Sequence, residues 1–599
     1  MKANSDKSKQ SKKATRRVLA GVLCGASVLS LVLSLVMPPI SQAIANDGEA
    51  ASTEETVMGG GSSSESTDVD NTTNGDAENQ NSDDAEDDAS EDTVAADSTA
   101  DGAEAKGADD GANGEGAISL AAENESTYEI SRGDELSAKL PDKKFRDGNG
   151  SATFKLVNDI EYSGEIRLEQ TDDNPINITL DLNGHKIKCL NTDKPLFDIA
   201  NGATLTIKDS AQANETLIEG QQLTDQGQYL NPDNYGKKAE LNYVDGIPSN
   251  LTYYVTKSTP SGTGTTETLV KHDVDIKGAI VACSGNANLR LINLYNNNGK
   301  GSFNLVSGVI TQKKDGRVSS LVYAENGSTV NMSGGYVCGA SSSGTGAGIM
   351  VSNEKGSAST LNVTGGVIAG NSAPSGGGVY AKGSTVTITN GVISGNSTLD
   401  SAGFGGGIMA EYGGSVTVSG GYITNNKYAN FCDHDGYGDH GGAGLAARNG
   451  THVTISGGQI TGNYSEEAGG GVYVTDVDRN EQSRTGMAWL KITGGIIASN
   501  VSYRSEGAGI RVGQMVDAMI NGSSNDSPVY ITNNSCMSRF DWGGGGIFVQ
   551  GNSDLGKEKT AGRLFIYNSY ISANTAGGYG GGVAVCPTGK TLVTNTEGT

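Results

Sequence analysis

The chain has 599 residues, a formal net charge of −26 and 88 glycines. That length suggests several domains, and the composition is uneven enough to divide the chain directly. So large an acidic excess argues against nucleic acid as a partner, because phosphate binding needs clustered Lys and Arg.

Residues 1–45 read as a signal peptide. Lys2, Lys7, Lys9, Lys12, Lys13, Arg16 and Arg17 open it, an apolar run from Val18 to Met37 follows, and Pro38-Pro39 precedes Ala43-Ile44-Ala45. This order fits cleavage before Asn46. An uncleaved anchor is the alternative, since the run is about long enough to span a bilayer. The proline break and small residues favour cleavage, so the mature chain is expected to carry no membrane span. Residues 46–125 hold 24 Asp and Glu against Lys106 and carry −23; with +6 on the export segment, −9 is left for residues 126–599. A stretch so acidic and so poor in aromatics cannot bury enough apolar surface to order itself, and a disordered acidic spacer is expected.

Residues 126–209 are expected to hold an N-terminal cap and the first coils. Ser131 to Leu140 carries a helical pattern with Leu136 and Leu140 on one face, stopping at Pro141. A short helix there would cover the exposed end of a stacked fold. Ile178 to His185 and Ala203 to Ile207 read as early strands. Residues 210–275 lack the repeated phrase described next and are expected to form an irregular excursion.

Residues 276–599 carry that phrase, Val-Thr-Ile-Ser-Gly-Gly-x-Ile-Thr-Gly-Asn, followed after a variable stretch by Gly-Gly-Gly-Val. Val453 to Asn463 with Gly469–Val472 is one copy, and Val386 to Asn396 with Gly405–Ile408 is another. The closing residues Asn371, Asn396, Asn426, Asn463, Asn500, Asn534 and Asn574 recur at intervals of 25 to 40. A fixed phrase with variable insertions marks stacked coils: an all-β, right-handed parallel β-helix. Alternation aims Val386, Ile388, Val392 and Ile393 inward, as it does Val416, Val418, Ile423, Val453, Ile455 and Ile460, with Thr and Ser outward. Glycine pairs at 334–335, 365–366, 420–421, 457–458 and 494–495 allow sharp corners, and Asn390-Gly391 replaces one of them. The recurring Asn is expected to form a ladder of amides about 4.8 Å apart. Lys590 to Asn595 opens a further strand phrase as the chain stops, so a longer protein, attached to a wall or surface beyond Thr599, is expected.

Cys189, Cys283, Cys338, Cys432, Cys536 and Cys586 are an even set in an exported chain, which invites disulfides. They are spread one per coil or fewer, while a bridge needs Cα atoms within about 7 Å. Most read as buried or turn thiols; Cys338 stands where Ala369 stands in the next copy.

These motifs resemble the pectin-lyase-like β-helix superfamily, and more narrowly bacterial surface proteins with repeats similar to those of polymorphic outer membrane proteins. Gly346–Ile349 and Gly405–Ile408 match that family's Gly-Gly-Ala-Ile block in kind. Ile393–Asn396 and Ile460–Asn463 match its Phe-x-x-Asn block with Ile for Phe. The resemblance covers about residues 126–599 and implies fold more than activity, since the fold hosts lyases, hydrolases and inert adhesins.

Polygalacturonase-like chemistry needs separated carboxylates with a Gly-His-Gly. Asn191-Thr192-Asp193 and Asp439-His440-Gly441 are far apart in sequence. Pectate-lyase-like chemistry needs an Asp cluster for calcium beside an Arg base, and Arg448 and Arg504 occupy different coil positions. The densest constellation is Asp433, His434, Asp435, Asp439 and His440, whose oxygens would suit Ca2+ and imidazoles Zn2+; a plain polar loop is the competing interpretation. Asp439, Glu467, Glu506 and Asp541 each precede a glycine block, which would align them along one edge. Tyr437, Tyr464, Tyr503 and Trp542 share these loops, and such a strip suits glycans or proteins. The expected function is a non-catalytic surface adhesin for glycans, matrix or neighbouring cells that requires no cofactor. A polysaccharide lyase or glycoside hydrolase, and an architectural surface-layer protein, are the alternatives.

Overall fold

The computed structural model describes residues 126–593, apart from 171–174, 224–230, 296–298, 400–402, 430–439, 477–486, 524–527, 539–542, 553–559 and 587–589. The expected signal peptide and acidic spacer lie outside the described residues.

One copy of the phrase shows how the strands arise. Thr385–Ile388 and Val392–Ser394 flank the Asn390-Gly391 corner, Ser397–Thr398 follows the asparagine, and Ile408–Glu411 follows the glycine block. Each strand pairs in parallel with its equivalent in the next copy: Val386 with Val416, Ile393 with Ile423, Ser397 with Lys427, and Ile408 with Leu445. Repetition generates long parallel sheets of 24, 12 and 7 strands among the described residues. The arrangement is consistent with a parallel β-helix. Inward side chains such as Val386, Ile393, Ile408, Val416, Ile423 and Leu445 join one apolar cluster running from Ile130 to Ile566. Each fully buried aliphatic contributes about 1.5–3 kcal/mol.

The asparagines stack as expected. Asn463 Nδ2 donates to Asn500 Oδ1 at 2.9 Å, and its own Oδ1 receives Asn426 N at 2.9 Å and Asn426 Nδ2 at 3.1 Å. The same bonds link Asn371, Asn396, Asn426, Asn463, Asn500, Asn534 and Asn574 in succession. Each amide also donates to a carbonyl of the preceding coil, as Asn463 does to Ile423 O at 3.0 Å. The amides fit because the last glycine of each block is bare. A Cβ on Gly444 would stand 3.0 Å from the Asn463 amide nitrogen and 2.6 Å from Gly471 O.

Two corner details differ from expectation. In Asn390-Gly391 the left-handed residue is Gly391, at φ 97°, so the asparagine is not what turns that corner. A second row of left-handed residues, unmarked by glycine pairs, immediately precedes the ladder: Gly462 (65°), Asn533 (55°), Ser499 (53°) and Ala573 (53°). A residue with a Cβ is strained there.

At the front, Thr127–Ile130 pairs with Ser151–Leu156, and helix Gly133–Lys139 buries Leu136, with Leu140 buried just beyond it, at the end of the apolar cluster. The Ser131 N–H donates to Glu135 Oε2 at 2.7 Å, which holds that carboxyl at about 2. Cys189, Cys338 and Cys536 are buried free thiols and Cys283 and Cys586 are half-buried ones, while Cys432 lies outside the described residues. Burial pushes Cys338 up to about 12.

The excursion is regular, not irregular. Asn214–Leu223, Glu240–Val244, Ile247–Ser261 and Gly264–Asp275 form an antiparallel sheet, the two longest strands turning at Gly262. The Thr/Val/Tyr-rich runs on either side of Pro260–Gly264 carry this hairpin signal. It lies across the coils over the strand that follows each glycine corner. The variable x of the phrase faces it: Tyr336, Val392 and Tyr422 pack against Leu251, Tyr253 and Val255. Val392 therefore leaves the inner column to which alternation assigns it.

Asn463→Ala removes four buried hydrogen bonds and should cost about 3 kcal/mol or more in urea unfolding. Ala573→Gly relieves a left-handed Cβ and should instead stabilise by up to about 1 kcal/mol. Equal destabilisation by both would refute this account of the corners.

Candidate functional site

In each strand after a glycine block, alternation sends one residue inward and the next outward. Inward residues such as Ile408 and Ala410 belong to the apolar cluster, while Met409 and Glu411 point away from it. Outward rows elsewhere begin with small polar residues, as Thr360, Thr385 and Ser415 do on one sheet, and the same row continues through His452, Trp489, Asp517 and Arg563. In the outward row after the glycine block, Arg167, Asp198, Asn293, Tyr323, Met350 and Tyr380 succeed one another in register, and Met409, Ala446, Tyr473, Arg511 and Phe548 continue it.

Contacts along this row join residues distant in sequence. Asn293 Nδ2 donates to Asp198 Oδ1 at 2.8 Å, and Arg167 lies 3.6 Å from the same carboxylate. Burial raises Asp198 above the usual carboxylate range, and the Asn293 bond opposes it. Farther along, the Arg290 guanidinium sits 3.6 Å from the Tyr323 ring centre, and Tyr295 meets that ring edge-on at 6.2 Å. Tyr323 Oη donates to Glu325 Oε2 at 3.0 Å.

The central cluster is the densest. Glu411 accepts from Tyr380 Oη and, at 2.7 Å, from Arg448 Nε. Arg448 lies 4.6 Å from the Phe404 ring centre, and that ring meets His440 at 5.1 Å and Tyr473 at 6.1 Å. Arg511 donates to Tyr473 Oη and lies 3.7 Å from Glu506, whose other oxygen receives Ser505 Oγ. Arg511 and Glu506 are 1% and 2% exposed, so each charge depends on its partners for the solvation it has lost. Burial first, and then Glu411, pushes Tyr380 well above the ordinary phenol range, so it stays protonated as a donor.

Several residues marked in the sequence reach this cluster, in altered roles. His440 arrives beside Phe404. Glu467 and Glu506 are each 2% exposed rather than solvent-facing, and Glu506 turns to Arg511. The bridges Phe404–Gly441 and Gly441–Ala468 put the loop ends in register. Tyr464 belongs to another edge, buried with Leu223, Tyr235 and Leu269 of the excursion and stacked 6.1 Å from Tyr503. Tyr503 is 37% exposed. Asp433, His434, Asp435, Tyr437, Asp439, Asp541 and Trp542 lie outside the described residues. Among the described residues no group of three or more metal-capable side chains gathers.

Tyr380, Glu411, Tyr473 and Arg511 were missed from sequence, and Arg448 was weighed only as a lyase base. Their signal is a bulky or charged side chain one or three places after the first aliphatic of the block, where another coil carries Thr475. Compared with known proteins, the chain matches no family model, no curated protein and no solved structure.

Glu411→Ala leaves Tyr380 and Arg448 without their shared acceptor. Arg448 is 25% exposed and recovers some hydration, so the cost is about 2 kcal/mol. Glu506→Ala faces a fully buried Arg511 and should cost more, about 3 kcal/mol or above. Urea unfolding of the two variants checks that order.

Proposed function

We propose that this is an exported, non-catalytic surface protein: a right-handed parallel β-helix of the pectin-lyase-like kind, with repeats like those of polymorphic outer membrane proteins. It would be displayed outside a bacterial cell and adhere to glycans, matrix or neighbouring cells through the strip of tyrosine, arginine and carboxylate after the glycine blocks. The observation that carries this reading is the row itself, which brings Tyr323, Tyr380, Tyr473 and Arg511 of separate coils onto one face after the glycine blocks. Tyr380, Tyr473 and Arg511 are 6%, 1% and 1% exposed, so an extended polymer laid along the coils would meet the row at its rim. At the rim, Tyr412 is 51% exposed beside Lys382, and Arg448 is a quarter exposed, so part of the strip is within reach of a ligand.

Binding without cleavage is the better reading because the acid–base groups are engaged. Glu411 and Glu506 are taken up by arginine and hydroxyl donors, and Tyr380 is held protonated. A general base needs a pKa near the working pH and access to its proton. One observation favours the alternative of a polysaccharide lyase or hydrolase: His440 and Arg448 both contact the Phe404 ring. New unsaturated or reducing ends from pectin, alginate or a glycosaminoglycan, lost in His440→Ala, would establish that reading and end the first.

Adhesion predicts that the full chain binds at least one class on glycan and matrix-protein arrays. The double variant Tyr412→Ala/Arg448→Ala should weaken that binding on the order of tenfold, as loss of one or two interface anchors does. Absence of binding on every array would overturn adhesion. We further propose that Asp433, His434, Asp435, Asp439 and His440 hold Ca2+ or Zn2+. Either ion should then raise the melting temperature of the full chain, and an unchanged value would dismiss the site.

A further inference from the structure

The excursion grips the coils in two different ways along its length. Near its root the contact is apolar: Leu251, Tyr253, Val255 and Val274 share a cluster with Val309, Cys338, Val367 and Ala369 of the coils. Toward its turn the contact becomes a ladder of hydrogen bonds. Thr256 N donates to Thr424 Oγ1 at 3.1 Å, and Thr461 Oγ1 donates to Thr256 O at 2.5 Å. Gln459 exchanges two bonds of 2.8 Å with Ser258, and Asn533 Nδ2 donates to Glu267 Oε2 at 2.7 Å. Ser572 Oγ reaches Thr263 O at 2.5 Å, so the hairpin extends from the early repeat coils to those near residue 572. The Thr and Ser of the repeated Ile-Thr-Gly-Asn segment are its seats, which is why Thr424, Thr461 and Thr532 are wholly buried.

One carboxylate ties the root together. Glu215 Oε1 accepts from Tyr253 Oη and from His272 Nδ1, both at 2.6 Å, and Glu215 Oε2 lies 3.4 Å from Tyr336 Oη of a coil. The four groups come from three excursion strands and one coil. His272 stacks on the Tyr253 ring at 4.5 Å, is 8% exposed, and its Nε2 is buried with no hydrogen-bond partner among the described residues. Lys271 and Asp273, its neighbours in sequence, pair with each other at 2.7 Å.

We propose that the antiparallel strands Asn214–Leu223, Ile247–Ser261 and Gly264–Asp275 form an acid-released strap, fastened across the coils while Glu215 is ionised and lifted from them when it is protonated, uncovering the apolar row Tyr336, Val367, Val392 and Tyr422. A protonated carboxyl gives up its charge-assisted bonds to Tyr253 and His272. The His272 hydrogen bond above all, then those of Tyr253 and Tyr336, holds Glu215 below its ordinary value against the effect of burial. Because the folded value is depressed, its stabilisation is complete above the ordinary glutamate value of about 4.3 and is lost as pH falls below it.

Hydrogen exchange of the full chain at pH 7 and pH 3, corrected for intrinsic rates, tests the proposal. Peptides covering 247–275 should lose protection on the order of tenfold or more at pH 3, while peptides holding Asn463 and Asn500 keep theirs. In Glu215→Gln the strap's protection should no longer depend on pH, whether it stays docked at both values or is loose at both. Release of strap and coils together would overturn the proposal. So would a strap still protected at pH 3, or a Glu215→Gln variant that releases as the wild type does. Tyr336→Phe, which removes only the coil-side hydroxyl, should keep the strap docked at pH 7; loss of docking there would place the latch at Tyr336 and overturn the role given to Glu215.

Discussion

A buried amide column, seated against bare backbone, holds this fold in register. Each ladder asparagine bonds the next coil through both its side chain and its main chain, so a coil cannot slide without breaking several bonds at once. The column fits because the glycine of the facing corner has no side chain to fill the same space. The two halves of the repeated phrase, Asn at one end and Gly-Gly-Gly at the other, are therefore the two sides of one contact. Unpaired, those amides would be costly inside an aliphatic core; paired throughout, they specify a single alignment.

Register then governs the chemistry of the outer surface. Once strands are aligned, outward residues 25 to 40 positions apart in sequence become neighbours at the strand spacing. Glu411 and Arg448 are 37 residues apart and share a 2.7 Å bond. Arg511 and Tyr473, 38 apart, share another. A tyrosine or arginine in one coil is useful only beside the right residue in the next, and a shift by one residue would turn these charges into the aliphatic column. The strip is a property of the stack and of no single coil.

The excursion gains its hold from the same alignment. Its hairpin meets a column of small residues, hydroxyl-bearing at Ser394, Thr424, Thr461, Thr532 and Ser572, which the regular phrase brings into line. Coil and strap are thus matched by repetition on one side and by a Thr- and Ser-rich strand on the other. Where the hairpin backbone comes closest, glycine again makes room: a Cβ on Gly462 would stand 2.3 Å from Thr256 Oγ1.

The parallel coils, the inward aliphatics and the amide ladder were legible in the sequence because each depends on contacts between equivalent positions of near-identical phrases, and the front helix because its apolar face and Pro141 are local. Period and alternation carry that information directly. The excursion hairpin was less legible: its strands carry the composition of strands, but their partners are antiparallel and outside the repeat. Val392 misled because alternation counts only an inside and an outside, and a strap makes part of the outside a second interior. Glu467 and Glu506 were placed on the right edge with the wrong exposure, since whether a carboxylate meets water or Arg511 depends on what lies across the coil boundary. Tyr380, Glu411 and Tyr473 went unmarked because each is unremarkable within its own strand. Sequence determined the winding and its period; the pairing of charges, the seat of the strap and the burial of its hydroxyls were decided only when distant coils were brought side by side.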